Sequence, residues 1–125
     1  MTAYLCVALG GALGAVSRYA IGNLPYVAGS PHFKTLAINI AGCLVIGIAW
    51  AVIEAWPVSR LWYNTIIAGF LGGFTTYSSF SLETMRMLGE GRAGESLLYV
   101  FLTVAGCLGA CALGLFGTER LIKLI

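Results

Sequence analysis

Four stretches of this sequence are apolar and long enough to cross a lipid bilayer, and they restrict the fold more than any other feature. They cover about residues 3–21, 35–56, 62–88 and 96–116, with short connections between them. A span of about 20 residues crosses the hydrocarbon core. No stretch shows the two-residue alternation of a membrane β-strand. The sequence therefore predicts an all-α integral membrane protein with four transmembrane helices, built as a single domain over residues 1–125.

Composition excludes several classes of function. Only 10% of the residues are charged, whereas a soluble domain carries about 25%. A net charge of +2 gives no reason to expect nucleic-acid binding. There is no GxSxG motif, no Walker A motif and only one histidine, so we predict that the chain is not an enzyme. The four cysteines lie in apolar runs without a CxxC pattern, which favours buried thiols over disulfides or a zinc site.

The first apolar run is expected to be a membrane span rather than a cleaved signal peptide. It lacks a basic region at its start and continues past Gly14.

The third span contains residues that disfavour a membrane helix. Gly72 and Gly73 are adjacent, and six hydroxyl-bearing side chains follow between Thr75 and Ser81. Adjacent glycines weaken a helix, and Ser and Thr offer the backbone competing hydrogen bonds. Irregular backbone at membrane depth has to be buried in protein or line a polar cavity. We therefore predict that the third helix breaks mid-span and resumes near Thr76.

Such a break has the chemistry of an ion site. Carbonyls that lose their helical partners are good ligands for a small cation such as Na⁺. The N-terminus of the resumed helix favours negative charge, and the ring edges of Tyr77 and Phe80 are positive. Glu83 follows Phe80 by one turn. The alternative is a broken helix that only packs tightly.

Other polar residues at membrane depth each allow two interpretations. The amide of Asn39 can bind an anion or bond to a neighbouring helix. Arg18 can extend to the lipid interface or make the mouth of an anion path positive. Thr103, Cys107 and Cys111 recur every four residues and form either a weakly polar track or a packing face of small side chains.

Small residues predict close helix packing. Gly10 and Gly14 share one face of the first span, and Gly69 and Gly73 are spaced likewise in the third. The fourth span carries Gly106, Gly109 and Gly114.

Positive charge is nearly balanced across the membrane. With four spans, one side holds Arg60, Arg120 and Lys123. The other side holds Arg18, Lys34, Arg86 and Arg92. So small a bias allows insertion in both orientations, although with such small counts it can also arise by chance.

These motifs resemble the Fluc (CrcB) family of microbial fluoride channels over the entire chain. The resemblance rests on Gly11-x-x-Gly14-x-x-x-Arg18-Tyr19, on Thr35-x-x-x-Asn39-x-x-Gly42, and on residues 69–83, Gly-x-x-Gly-Gly-Phe-Thr-Thr-Tyr-Ser-Ser-Phe-Ser-x-Glu. It implies an antiparallel, dual-topology homodimer in the cell membrane of a microbe, which exports fluoride by passive electrodiffusion.

The resemblance also implies roles for individual residues. A structural Na⁺ at the dimer centre would be held by the backbone carbonyls of Gly72 and Thr75. The fluoride pathway would comprise Asn39, Thr76, Tyr77, Ser79, Phe80, Glu83, Thr103, Cys107 and Cys111. Arg18 would line the vestibule.

The chain departs from the family in two places. Tyr77 stands where the family usually has phenylalanine, which adds a hydroxyl and volume. Cys107 and Cys111 stand where relatives carry hydroxyl groups, and thiols are weaker hydrogen-bond donors.

Two other functions are compatible with a four-span protein. A small multidrug antiporter needs a membrane-embedded carboxylate, and the first span has none. A non-transporting assembly subunit would explain the glycines but not a polar, aromatic break.

Overall fold

The computed structural model describes residues 1–24 and 31–124, and within these residues the chain is helical with no β-strand. Its elements are α1 (Thr2–Gly22), α2 (Pro31–Ala55), α3 (Arg60–Tyr63), a π-helical segment (Asn64–Leu71), α4 (Gly72–Phe74), α5 (Tyr77–Gly89) and α6 (Ala93–Ile122). The predicted all-α class is confirmed for the described part of the chain.

Three of the described helices, α1, α2 and α6, are long and apolar enough to cross a membrane. Helix α2 begins at Pro31, earlier than predicted, and α6 continues to Ile122, beyond the predicted end. The predicted third span is divided among α3, the π-helical segment, α4 and α5. Large apolar side chains such as Leu9, Leu13 and Phe101 are exposed on the long helices, as expected for surfaces that face lipid.

The helices pack as two close pairs. Helix α1 lies along the π-helical segment and α4, while α2 lies along α6. A β-carbon on Gly14 would collide with the backbone of Phe70, and one on Gly73 would collide with the backbone of Gly11. Because only glycine permits this approach, the predicted packing of the first and third spans is confirmed.

Glycine also sets the distance between α2 and α6. Gly114 lies against the backbone of Leu44, and Gly47 lies against the backbone of Cys111. Gly109, which was expected to pack in the same way, has no other described atom within 4 Å of its missing β-carbon.

Helix α5 is anchored to α6 by a small apolar core. Phe80, Met87 and Tyr99 are buried together, and Leu36 and Val100 pack around them. This core holds α5 in one orientation and thereby sets the position of Glu83.

A tight turn joins α5 to α6. Gly91 has a φ of 77°, a conformation that favours glycine. Arg92 follows and donates to Glu95, with Nε 3.1 Å from Oε1, and to Glu90, with Nη1 3.1 Å from Oε2. The hydrogen bonds to Glu95 and Glu90 raise the pKa of the Arg92 guanidinium.

Candidate functional site

The helix is interrupted between α4 and α5, where Thr75 and Thr76 are extended. The side chain of Asn39, buried in α2, spans this interruption. Its Oδ1 accepts from the Thr76 backbone N–H at 2.8 Å, and its Nδ2 donates to the Thr76 carbonyl at 3.0 Å. In a continuous helix the same N–H would bond to Gly72, four residues earlier. Asn39 therefore replaces a helical hydrogen bond with one to its own side chain.

The restart of the helix at Tyr77 is produced by a side-chain cap. The hydroxyl of Thr76 accepts from the backbone N–H of Ser79 at 3.2 Å and donates to the Ser79 hydroxyl at 2.9 Å. In a continuous helix that Ser79 N–H would bond to the carbonyl of Thr75. The cap therefore takes this donor away from Thr75.

Because the Thr76 and Ser79 N–H groups bond to side chains, backbone carbonyls at the interruption are left without their helical donors. No hydrogen bond within the described residues reaches the carbonyl oxygens of Gly72 and Thr75. The carbonyl of Gly73 differs, since it accepts from Arg18 Nε at 3.3 Å. Gly72 and Thr75, the two residues predicted as cation ligands, thus have carbonyls without a donor among the described residues, and so does the neighbouring Phe74.

A half-open cleft of about 420 Å³ lies beside the interruption, between α2, α6 and the broken segment. Its wall is mostly apolar. The predicted site residues that line it are Asn39, Gly72, Thr75, Tyr77, Phe80, Thr103 and Cys107.

Two aromatic rings from α5 stand at this cleft with different exposure. Phe80 is buried, while Tyr77 is 80% exposed. Their ring centroids are 5.5 Å apart, and Phe80 lies 5.3 Å from the ring of Tyr99. Tyr77, where the sequence departs from the pattern it resembles, therefore lies at the open side of the cleft.

The polar track predicted on α6 is divided by the structure. The hydroxyl of Thr103 is buried and has no hydrogen-bond partner within the described residues. Cys107 lines the same cleft, whereas Cys111 does not. Thr103 and Cys107 are thus brought together with the other predicted residues, and Cys111 is placed behind them against α2.

A second cleft, of about 250 Å³, is lined by several polar side chains, among them two basic and one acidic, and we call it the polar cleft. Arg18, Lys34, Thr76, Ser79 and Glu83 are among its lining residues. Thr76 lines this second cleft, and its two neighbours in sequence, Thr75 and Tyr77, line the apolar one. The expected vestibule residue, Arg18, thus lies beside predicted pathway residues.

Glu83 is held by two hydroxyl donors. The hydroxyl of Thr35 donates to its Oε1 at 2.8 Å, and the hydroxyl of Tyr99 donates to its Oε2 at 2.7 Å. Sequence reasoning did not place Thr35 or Tyr99 in the site. Helical spacing could have indicated both residues. Thr35 precedes Asn39 by four residues and Tyr99 precedes Thr103 by four, so each shares a helix face with a predicted site residue.

Among the described residues, no group of three or more His, Cys, Asp or Glu side chains is placed to hold a metal ion.

Comparison with known families gives a match over most of the chain. Residues 5–115 match the family described as CrcB-like protein, Camphor Resistance (CrcB).

Curated bacterial relatives are similar at full length. A protein of Azotobacter vinelandii named "Fluoride-specific ion channel FluC" is 45% identical, covering 92% of this chain and 95% of its own length. A protein of the same name from Acidobacterium capsulatum is 40% identical, covering 95% and 98%. A third, from Desulfotalea psychrophila, is 36% identical and covers 94% and 93%.

Proposed function

The chain belongs to the CrcB-like family, and from this we propose that it is a fluoride-selective ion channel in the inner membrane of a bacterium. The observation that carries the proposal is the full-length similarity to curated fluoride channels. That name describes transport rather than enzymatic chemistry. The chain is accordingly a multi-pass membrane protein and not an enzyme.

The chemistry of the two clefts supports an anion path. Fluoride is small and strongly hydrated, so a narrow path has to replace its water with hydrogen-bond donors. The polar cleft offers Arg18 and Lys34 to attract an anion. The apolar cleft is lined by Thr103, whose buried hydroxyl has no partner among the described residues, and by the aromatic residues Tyr77 and Phe80, whose ring edges are positive.

We place Glu83 at the end of this path, beyond the aromatic pair. Its two oxygens accept from Thr35 and Tyr99, so neighbouring hydroxyl groups offset part of its charge. Thr76 and Ser79 line the polar cleft together with Glu83 and would supply further hydroxyl groups along the path.

The interrupted segment from Arg60 to Gly89 would form the fourth crossing of the membrane. Its helical parts are together long enough to span the core of about 30 Å. The irregular backbone at Thr76 is then tolerated because Asn39 satisfies both its N–H and its carbonyl from within the protein.

The free carbonyls of Gly72 and Thr75 fit a structural Na⁺. Na⁺ binds carbonyl oxygens, and these two lack a donor in the described part of the chain. Gly72 is exposed on the protomer surface, so a second copy can supply its own pair of carbonyls. The ion would join the two broken helices and would not itself be transported.

We further infer that the protein is a homodimer with its protomers antiparallel. The near balance of positive charge supports insertion in both orientations. Fluoride would then leave the cell passively, because the membrane potential drives an anion outward with about 2.3 kcal/mol per charge per 100 mV.

The decisive experiment is fluoride efflux from liposomes that contain the purified protein. We expect efflux with fluoride and none with chloride, because only fluoride fits a path lined by close donors. Equal transport of both ions, or of neither, would contradict the proposal. Proton-coupled uptake of a cationic dye would instead identify an antiporter.

A further inference from the structure

Three of the four cysteines gather where α2 crosses α6. The side chain of Ile40 lies against Gly106, and Gly47 lies against the backbone of Cys111. Cys43 lies midway between Ile40 and Gly47 on the same face of α2. It therefore faces α6 between Gly106 and Cys111, which is where Cys107 lies.

The side chains of this cluster lie close to one another. Cys107 is the nearer neighbour of the Cys43 thiol, and Cys111 lies one helical turn beyond Cys107. All three are free thiols and only partly buried. Cys43 and Cys107 also line the apolar cleft, together with Thr103 and Phe80. Two thiols on different helices thus face one accessible space.

We propose that Cys43 and Cys107 form a binding site for a thiophilic, two-coordinate metal ion such as Hg²⁺, and that the bound ion blocks the cleft. Soft thiolates select such ions, and a linear ion needs only two ligands, so a third His, Cys, Asp or Glu is not required. The blocking role rests on the proposed function, whereas the binding itself does not.

The binding reaction balances with the ligands that the chain supplies. HgCl₂ is neutral and can enter the apolar cleft. The first thiol displaces one chloride and releases one proton, forming an S–Hg–Cl adduct. The second thiol displaces the remaining chloride and releases a second proton, which leaves an S–Hg–S bridge between α2 and α6. No oxidant or reductant takes part.

Mass spectrometry of the purified protein tests the binding. The protein is treated with one equivalent of HgCl₂, washed with a monothiol and then labelled with a maleimide. A bridged ion resists the monothiol, so we expect Cys43 and Cys107 to be protected together while Cys6 is labelled. Labelling of both cysteines after the wash, or protection of Cys107 with Cys111 instead, would overturn the site.

Variants test the bridge. In Cys43→Ser and in Cys43→Ala a single-thiol adduct should be stripped by the monothiol, so that Cys107 becomes labelled. The matched control is Cys6→Ser, because Cys6 lies on α1 and lines no cleft with the pair. Protection of Cys107 that survives in both Cys43 variants would contradict the bridge.

Liposome efflux tests the block, with each protein compared to its own rate before HgCl₂. We expect wild type and Cys6→Ser to lose most of their fluoride efflux, and Cys43→Ser to recover it after the monothiol wash. Protection of the pair with no loss of efflux would remove the blocking role. If the untreated protein transports no fluoride, the proposed function fails while the labelling result still decides the metal site.

Discussion

Asn39 bonds to the interrupted backbone and also lines the apolar cleft. Bonding to a helix and donating to an anion were alternatives for this residue, but the amide has two N–H bonds and one oxygen. Thr76 takes the oxygen and one N–H. The second N–H has no partner among the described residues, and Asn39 lines the apolar cleft. The structural bond therefore leaves a donor for an ion.

Replacing Asn39 by aspartate should abolish fluoride efflux. The carboxylate can still accept from the Thr76 N–H but cannot donate to the Thr76 carbonyl, and a buried acceptor left unpaired costs about 1–3 kcal/mol. It also places a negative charge beside the anion path. Liposome efflux measures the loss. Asn64→Asp is the control, because Asn64 lines neither cleft and should retain efflux. Normal efflux in Asn39→Asp would remove Asn39 from the path.

Thr103→Val should separate transport from stability. The hydroxyl of Thr103 is buried and has no hydrogen-bond partner in the part of the chain that the structure describes, and such a group costs about 1–3 kcal/mol. Valine has nearly the same shape, so thermal unfolding in detergent should show equal or greater stability. Fluoride efflux should fall because a donor is lost, and Thr103→Ser should retain it. An unchanged rate in Thr103→Val would show that Thr103 is only a packing residue.

At the scale of elements, the sequence predicts more of the helices than of the contacts between them. The apolar runs locate α1, α2 and α6, because length and composition decide whether a helix can span a bilayer. The sequence predicts a break from Gly72 to Thr76, but Gly72 and Gly73 remain helical, and the chain is extended only at Thr75 and Thr76, among the hydroxyl-bearing residues. These signals are local, so one sequence is sufficient to read them.

The contacts that complete the interruption are not local. Asn39 meets Thr76 across 37 positions of sequence, and Thr35 meets Glu83 across 48. Nothing in either segment alone specifies its partner. The π-helical winding of Asn64–Leu71, predicted as an ordinary helix, also became visible only in the folded chain.

Gly14→Ala should destabilise the pairing of α1 with the broken segment. A β-carbon at this position collides with the Phe70 backbone, which cannot move as a side chain would, and overpacking costs about 1–3 kcal/mol. Thermal unfolding in detergent should show the loss. Gly117→Ala is the matched control, since its β-carbon meets no described atom within 4 Å. There alanine should stabilise the helix by about 0.5–1 kcal/mol, and equal effects at both positions would contradict the packing argument.

At the scale of the whole molecule, the protomer is open where the proposed function needs a closed path. The apolar cleft is half-open, and Tyr77 at its edge is 80% exposed. A second copy of the chain, antiparallel to the first, would cover this side and bring its own free carbonyls to the centre. The near balance of three against four positive residues would allow one sequence to supply both orientations.

A charge bias that forces the chain to insert in one orientation should therefore abolish fluoride efflux. A second copy with the opposite charge bias should restore it. Gly117→Lys with Thr118→Lys adds two positive charges on the side of the termini, and Gly89→Lys with Gly94→Lys adds two on the other side. The changed glycines meet no described atom within 4 Å, so folding should be preserved. Either variant alone should insert in one orientation and give little fluoride efflux in membrane vesicles, because no antiparallel partner is present. Co-expression of the two should restore efflux, whereas full efflux from each alone would show that the channel assembles with its protomers parallel.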